Sequence, residues 1–272
     1  MLQNCAVDGA HAAPRFAFPK SGVDIYTCPT CGCIMADLDF THEQYESANY
    51  YTMAFKTKAE IEGEWGFRWR YILSALKRHT AATKLLDVGA GNGYFVHLAR
   101  TEYGLDAEGL EISAAEVDYA RATFDIELRR GDLASVTDRY DILASFNVLE
   151  HVKHPTELLK GMSDRLEAGG ILLVTTPNPD CIHRRLRGLH KWSMVCPPHH
   201  INLFTKAALS GMLAREGFEL LEYSTLSTYI NSVRRIDTQS LLLRRAAFQA
   251  LKTAQLGADH FLICRKREPG VT

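Results

Sequence analysis

The chain has 272 residues, 46% of them hydrophobic, and its 31 Lys and Arg against 32 Asp and Glu leave a formal charge of −1. Such a length and apolar content fill one α/β domain of ordinary size with a small appendage. A charge near zero without a long basic block excludes a general nucleic-acid or anionic-membrane surface, since both need clustered Lys and Arg. No stretch reaches the roughly 18 apolar residues of a spanning helix and the N-terminal residues carry no signal-peptide core, so a cytoplasmic location is expected.

Residues 1–40 read as a zinc-ribbon-like segment. The chain has seven cysteines, an odd number that argues for reduced thiols and against a disulfide framework. Cys28-Pro29-Thr30-Cys31-Gly32 is the C-x-x-C-G turn of a zinc knuckle, in which the glycine relieves the backbone while N–H groups steady the thiolates. Cys5-Ala6-Val7-Asp8-Gly9 repeats it with Asp8 in place of the second thiolate. A carboxylate can ligate zinc, so Cys5, Asp8, Cys28 and Cys31 are the candidate ligands, with His11 or Cys33 as replacements; the alternative is a ribbon that has lost its metal and survives on packing. No thioredoxin-like βαβ pattern surrounds the pair, which disfavours a redox role.

Residues 41–80 read as a cap of two helices. Thr41-His42-Glu43-Gln44 offers a capping start, and Trp65, Phe67, Trp69, Tyr71, Ile72, Leu73 and Leu76 give an apolar face.

Residues 81–272 form the main domain. Leu85-Leu86-Asp87-Val88 is a strand ending in an acid that runs into Gly89-Ala90-Gly91-Asn92-Gly93 and then a helix beginning at Tyr94. Positions without Cβ let a tight turn bring backbone N–H groups up to a ligand at the helix N-terminus. A dinucleotide fingerprint would be G-x-G-x-x-G; G-x-G-x-G behind an acid decides against a pyrophosphate. Next come Leu105-Asp106-Ala107-Glu108-Gly109-Leu110-Glu111-Ile112, a strand ending in an acid 24 positions beyond Asp87, and then Leu128-Arg129-Arg130-Gly131-Asp132-Leu133. The fourth strand, Tyr140 to Phe146, leads into Asn147-Val148-Leu149-Glu150-His151, and Leu166-Glu167-Ala168-Gly169-Gly170 reads as helix end and glycine turn before a buried strand.

On these motifs, residues 84–222 resemble the class I S-adenosylmethionine (SAM)-dependent methyltransferases, near those of quinone biosynthesis. The resemblance implies a Rossmann-like α/β fold: a seven-stranded sheet whose last strand, His260 to Arg265, inserts antiparallel between the fifth and the sixth, Phe218 to Tyr223. It implies a lid over about 178–204 and a helical insertion over about 227–256. It also implies SAM as cofactor, held by Asp87, Gly89, Ala90, Gly91 and Gly93, with Glu111 and Ile112 on the ribose, Asp132 and Leu133 on the adenine, and Asn147 lining the pocket. Some relatives carry an N-terminal ribbon with two C-x-x-C-G halves, and in related folds the preceding helices close over the cofactor, which would bring Tyr50, Tyr51 and Trp65 to the site.

The acceptor is expected to be a small molecule or a glycan unit methylated at oxygen, with C- or N-methylation and a non-catalytic scaffold as alternatives. Removing a hydroxyl proton calls for a base, and His151, His199 and His200 lie in segments that this fold brings to the methyl group, His151 being the first choice. Asn147 stands where quinone-type relatives place an acid, so Asn147, Glu150 and His151 are not expected to hold a catalytic hard cation. His183-Arg184-Arg185-Leu186-Arg187 is a dense basic run, read as a solvated face or as a clamp in which Arg184, Arg185 and Arg187 grip a phosphorylated or nucleotide-linked acceptor.

Overall fold

The structure, a computed structural model, describes residues 2–38, 56–227 and 241–268, with side chains from 246 in the last stretch. The capping start at Thr41, the first cap helix, Tyr50, Tyr51 and part of the 227–256 insertion lie outside the described residues.

The main sheet has seven strands in the order β10-β11-β8-β7-β4-β5-β6, namely β4 (Lys84–Val88), β5 (Asp106–Glu111), β6 (Arg129–Arg130), β7 (Tyr140–Phe146), β8 (Leu166–Pro177), β10 (Phe218–Leu226) and β11 (Asp259–Lys266). The inner strands pair parallel, and β11 runs antiparallel to both β8 and β10. Both faces are covered, which is why the central strands are apolar throughout. Alternate residues serve two cores: Leu85, Ile142, Leu173 and Phe261 pack on one face, and Leu86, Leu143, Leu172 and Leu262 on the other.

Four helices cover the first face. Helix α1 (Lys58–Leu76) starts at a capping box between Thr57 and Glu60, as its S/T-x-x-E spacing dictates. Then follow α2 (Tyr94–Tyr103), α3 (Ala114–Phe124) and, from the insertion, α7 (Leu241–Thr253), whose Phe248 joins that core. The opposite face carries α4 (Pro155–Arg165), begun by a proline, and α6 (Lys206–Arg215), capped by Thr205. Where the sequence predicts a helix end and a turn, strand β8 already runs from Leu166; Gly169 at φ +74° lets it bulge, so that Tyr140 pairs Leu166 and Ile142 pairs Ile171.

A smaller antiparallel sheet contains β1 (Arg15–Lys20), β2 (Val23–Thr27), β3 (Ile34–Ala36) and β9 (Asn202–Leu203). Its fourth strand comes from the end of the 178–204 segment, so the N-terminal strands are joined edge to edge with that segment. Between them lies the short α5 (Ile182–Arg187). Among the described residues no helix is long and apolar enough to cross a membrane.

Candidate active site

A cavity of about 700 Å³ opens at the carboxyl ends of β4, β5 and β7. Its first half is made largely of backbone. Gly89, Gly91 and Gly93 all adopt left-handed φ, at +78°, +52° and +73°. A Cβ on Gly89 would stand 2.5 Å from Val148 Cγ2, whereas above Gly91 nothing lies within 4 Å. Gly93 does not line the cavity; its missing Cβ lets α2 approach Ala120 of α3, which such an atom would meet at 2.9 Å.

Asp87 is 2% exposed, its Oδ1 has no hydrogen-bond partner, and burial with the nearby Glu111 raises its carboxyl well above the ordinary range. Glu111 is equally buried, and its carboxylate accepts from three backbone N–H groups: Gly91 at 2.8 Å, Ile112 at 2.8 Å and Ser113 at 2.9 Å. Burial lifts its pKa while those donors pull it down. Asp132 accepts from Ser135 N at 3.2 Å, and Leu133 beside it is buried. Asp87, Gly89, Ala90, Gly91, Glu111, Ile112, Asp132, Leu133 and Asn147 all face the same space.

The second half is built from side chains. Asn147 adopts φ +56°, its Oδ1 accepts from Thr175 Oγ1 at 3.0 Å, and so the chain turns sharply off β7 into the Glu150 segment. Glu150 is wholly buried; Thr176 Oγ1 donates to its Oε2 at 3.0 Å, and Oε1 has no hydrogen-bond partner. Burial pushes its carboxyl up to about 7, against the pull of nearby His200. His151 Nδ1 lies 2.8 Å from the His199 carbonyl, and His200 Nδ1 2.8 Å from the Met194 carbonyl. A carbonyl only accepts, so each Nδ1 carries the hydrogen. One donor atom each from Glu150, His151 and His200 lies within 4.8 Å of the others, a set able to take a proton or a divalent cation. Burial depresses His151 to about 4 and lowers His200 as well. His199 does not line the cavity and serves through its carbonyl.

Arg68 and Asp259 are cavity residues with no signal in the sequence as site residues. Arg68, 1% exposed, pairs with Asp259 at 2.5 Å and lies over Trp65 and Trp69, 5.7 and 5.5 Å from their rings. An arginine within an aromatic helix face and an acid opening the last strand are 191 residues apart, and only the antiparallel β11 brings them together.

Two expectations are corrected. Arg184, Arg185 and Arg187 sit on α5 and none lines the cavity; Arg185 Nε instead bonds the Asp180 carbonyl at 3.0 Å, Arg187 is exposed, and Arg184 is half-buried with its Nε enclosed. In the ribbon, Asp8 is not with the thiols. It turns to Ala10 N at 2.9 Å and Arg215 at 3.5 Å, and His11 takes the fourth place beside Cys5, Cys28 and Cys31. The Cys5 and Cys31 sulfurs are 3.6 Å apart and Cys28 Sγ is 3.7 Å from His11 Nδ1. Zinc held at about 2.3 Å by tetrahedral thiolates sets sulfurs about 3.8 Å apart, so the donors fit that ion.

A family profile described as a methyltransferase domain matches residues 60–223. The chain belongs to the methyltransferase-domain family. A probable SAM-dependent methyltransferase of Mycolicibacterium smegmatis is 26% identical over 166 residues, 58% of this chain and 61% of that protein. A ubiquinone biosynthesis O-methyltransferase of Ruegeria pomeroyi is 27% identical over 163 residues, 52% of this chain and 65% of that one. The chain thus spans under two thirds of these two relatives. A chain from the complex of the Haloferax volcanii Trm112 methyltransferase activator with a methyltransferase superposes with a TM-score of 0.57 at 18% identity, over 78% of this chain and 95% of that chain, a likeness of fold. The methyltransferase domain here keeps that fold's sheet, with the antiparallel last strand.

Proposed function

We propose that the protein is a SAM-dependent methyltransferase acting at oxygen on a small-molecule or glycan acceptor. The observation that carries this reading is the orphaned, buried Asp87 Oδ1 beside an open glycine turn. A buried carboxyl raised by desolvation regains its charge against a cation, and the ammonium of the amino-acid end of SAM is such a cation. Glu111, braced by three N–H groups, keeps lone pairs for ribose hydroxyls. Asp132 and Leu133 stand where an adenine would be read. When bound, SAM supplies a methyl group on a positively charged sulfur, open to in-line displacement.

Glu150 is the proposed base for the acceptor hydroxyl. Its pKa of about 7 suits proton transfer near neutrality, whereas His151, at about 4, stays neutral and is too weak a base for that role. His151 and His200 lie beside Glu150 in the cavity, which Pro177, Val152 and Met194 also line. The relative named for ubiquinone O-methylation supports oxygen as the target. We further propose a structural zinc on Cys5, His11, Cys28 and Cys31.

Calorimetric titration with SAM and S-adenosylhomocysteine tests the cofactor. Micromolar binding of both supports an enzyme; no binding of either leaves a scaffold on a methyltransferase fold. Incubation with labelled SAM and a cell extract, followed by mass identification of the product, tests the acceptor class, and a labelled C- or N-methyl product overturns the oxygen assignment.

A further inference from the structure

The segment over the acceptor half of the cavity does not rest mainly on the methyltransferase sheet. A third hydrophobic core joins it to the ribbon: Ile25, Ile34 and Ala36 pack against Trp192, Val195 and Ile201, all at 7% exposure or less. Every buried member of that core comes from residues 25–36 or 181–203. Met194 packs on the same core and also faces the cavity, where its carbonyl holds His200.

Backbone bonds continue the connection. Strand β3 pairs with β9 through Ile34 opposite Leu203 and Met35 opposite Asn202. Ala36 N donates to the Ile201 carbonyl at 2.9 Å, and Ile201 N donates to the Glu150 carbonyl at 2.8 Å. Lys20 Nζ, at the end of β1, reaches the carbonyls of His190 and Trp192, each at 3.1 Å. The knuckle itself sits on α6, with Thr205 Oγ1 donating to the Cys31 carbonyl at 2.8 Å and a Cβ on Gly32 lying only 3.1 Å from the Thr205 methyl.

We propose that the ribbon is the foundation of the acceptor lid: closed by its metal, it fixes the 189–201 segment and through it His200 and Glu150, with Trp192 as a positioning residue. The physical reason is that the lid has only the short α5 and the two-residue β9 as regular structure of its own, so its order must come from packing, and the ribbon provides that packing. The inference rests on the methyltransferase reading only for what the cavity binds.

Amide hydrogen exchange on the full chain tests it, with zinc content by mass spectrometry and S-adenosylhomocysteine affinity by calorimetry as independent readouts. Trp192→Ala and, separately, Cys31→Ser should accelerate exchange across 189–201 by about tenfold or more, leave 84–112 unchanged, and keep S-adenosylhomocysteine affinity within about twofold. Trp192→Phe should restore protection, and Lys20→Met, which removes the two bonds from a half-buried ammonium to the His190 and Trp192 carbonyls, should give a smaller acceleration in the same segment. Unaltered exchange at 189–201 in both Trp192→Ala and Cys31→Ser overturns the proposal, as does equal acceleration at 84–112, which would make the ribbon a support of the whole fold. A wild-type protein that ignores S-adenosylhomocysteine defeats the methyltransferase reading and leaves the exchange result to judge the lid. Wild-type protein without zinc, in which Trp192→Ala still loosens 189–201, confines the foundation to packing and overturns the part assigned to the metal.

Discussion

The two halves of the cavity are made of different material. At the β4 and β5 ends the wall is backbone and carboxylates: Gly89, Gly91 and the N–H groups that brace Glu111 all lie between Asp87 and Ser113. At the β7 and β8 ends it is long side chains drawn from four places, Arg68, Glu150, His200 and Asp259, with Arg68 paired to Asp259 and Glu150 held by Thr176. A backbone cradle is set by local φ and is rigid before any ligand comes. The side-chain half depends on partners far along the chain.

The strongest way to sharpen this contrast is Glu150→Gln. It removes a proton acceptor of nearly unchanged shape, so turnover of a hydroxyl acceptor should fall by about 10²–10⁴ while SAM affinity stays within a few-fold. In the wild type, Glu150 acts as base only when ionised; turnover should therefore rise as pH increases through about 7 and level off above it. The variant should lose that limb. A retained limb moves the base elsewhere, and chelator inactivation that the Cys31→Ser protein still shows would mean that Glu150, His151 and His200 use their converging atoms for a divalent cation instead.

Asp87→Asn tests the backbone half. The ammonium loses its charged partner, so SAM should bind about 100-fold more weakly, consistent with the roughly 2–5 kcal/mol lost on truncating a buried charged hydrogen bond. Folding should respond in the opposite sense. An amide carries no buried charge, so the melting temperature of the ligand-free protein should hold or rise. A falling melting temperature with unchanged affinity would make Asp87 a structural acid. Gly89→Ala should also prevent binding, and at a folding cost, since φ +78° disfavours a side chain and its Cβ would collide with Val148.

The same division governs what the sequence made legible. Asp87, the glycine turn, Glu111 and Asp132 could be read because contiguous residues and the strand–turn–helix pattern determine their placement. The antiparallel β11 was legible through resemblance, and so was its position between β8 and β10. Glu150 was visible as a residue but not as the proposed base, because its carboxyl is raised by complete burial and burial belongs to the folded chain. Arg68 and Asp259 gave no sign of each other. Asp8 matched the knuckle spacing, yet the turn at Gly9 and Ala10 brings His11 to the thiols, and no spacing rule distinguishes those outcomes.

The smallest effect is expected where charge looked most suggestive. Replacing Arg184, Arg185 and Arg187 together by Ala should leave acceptor KM and SAM affinity within about twofold, because α5 holds all three, the half-buried Arg184 included, outside the cavity lining, and the exposed charges of Arg185 and Arg187 contribute only about 0–1 kcal/mol. Steady-state kinetics over a range of salt concentrations checks it. A tenfold rise in KM with unchanged SAM affinity would mean that the lid carries these guanidinium groups inward when the acceptor binds. The side-chain half would then extend beyond its present wall, and an anionic acceptor would become the better reading. Unchanged kinetics would leave recognition to Arg68, Met194 and the Glu150 cluster, all of which the present fold already holds at the cavity.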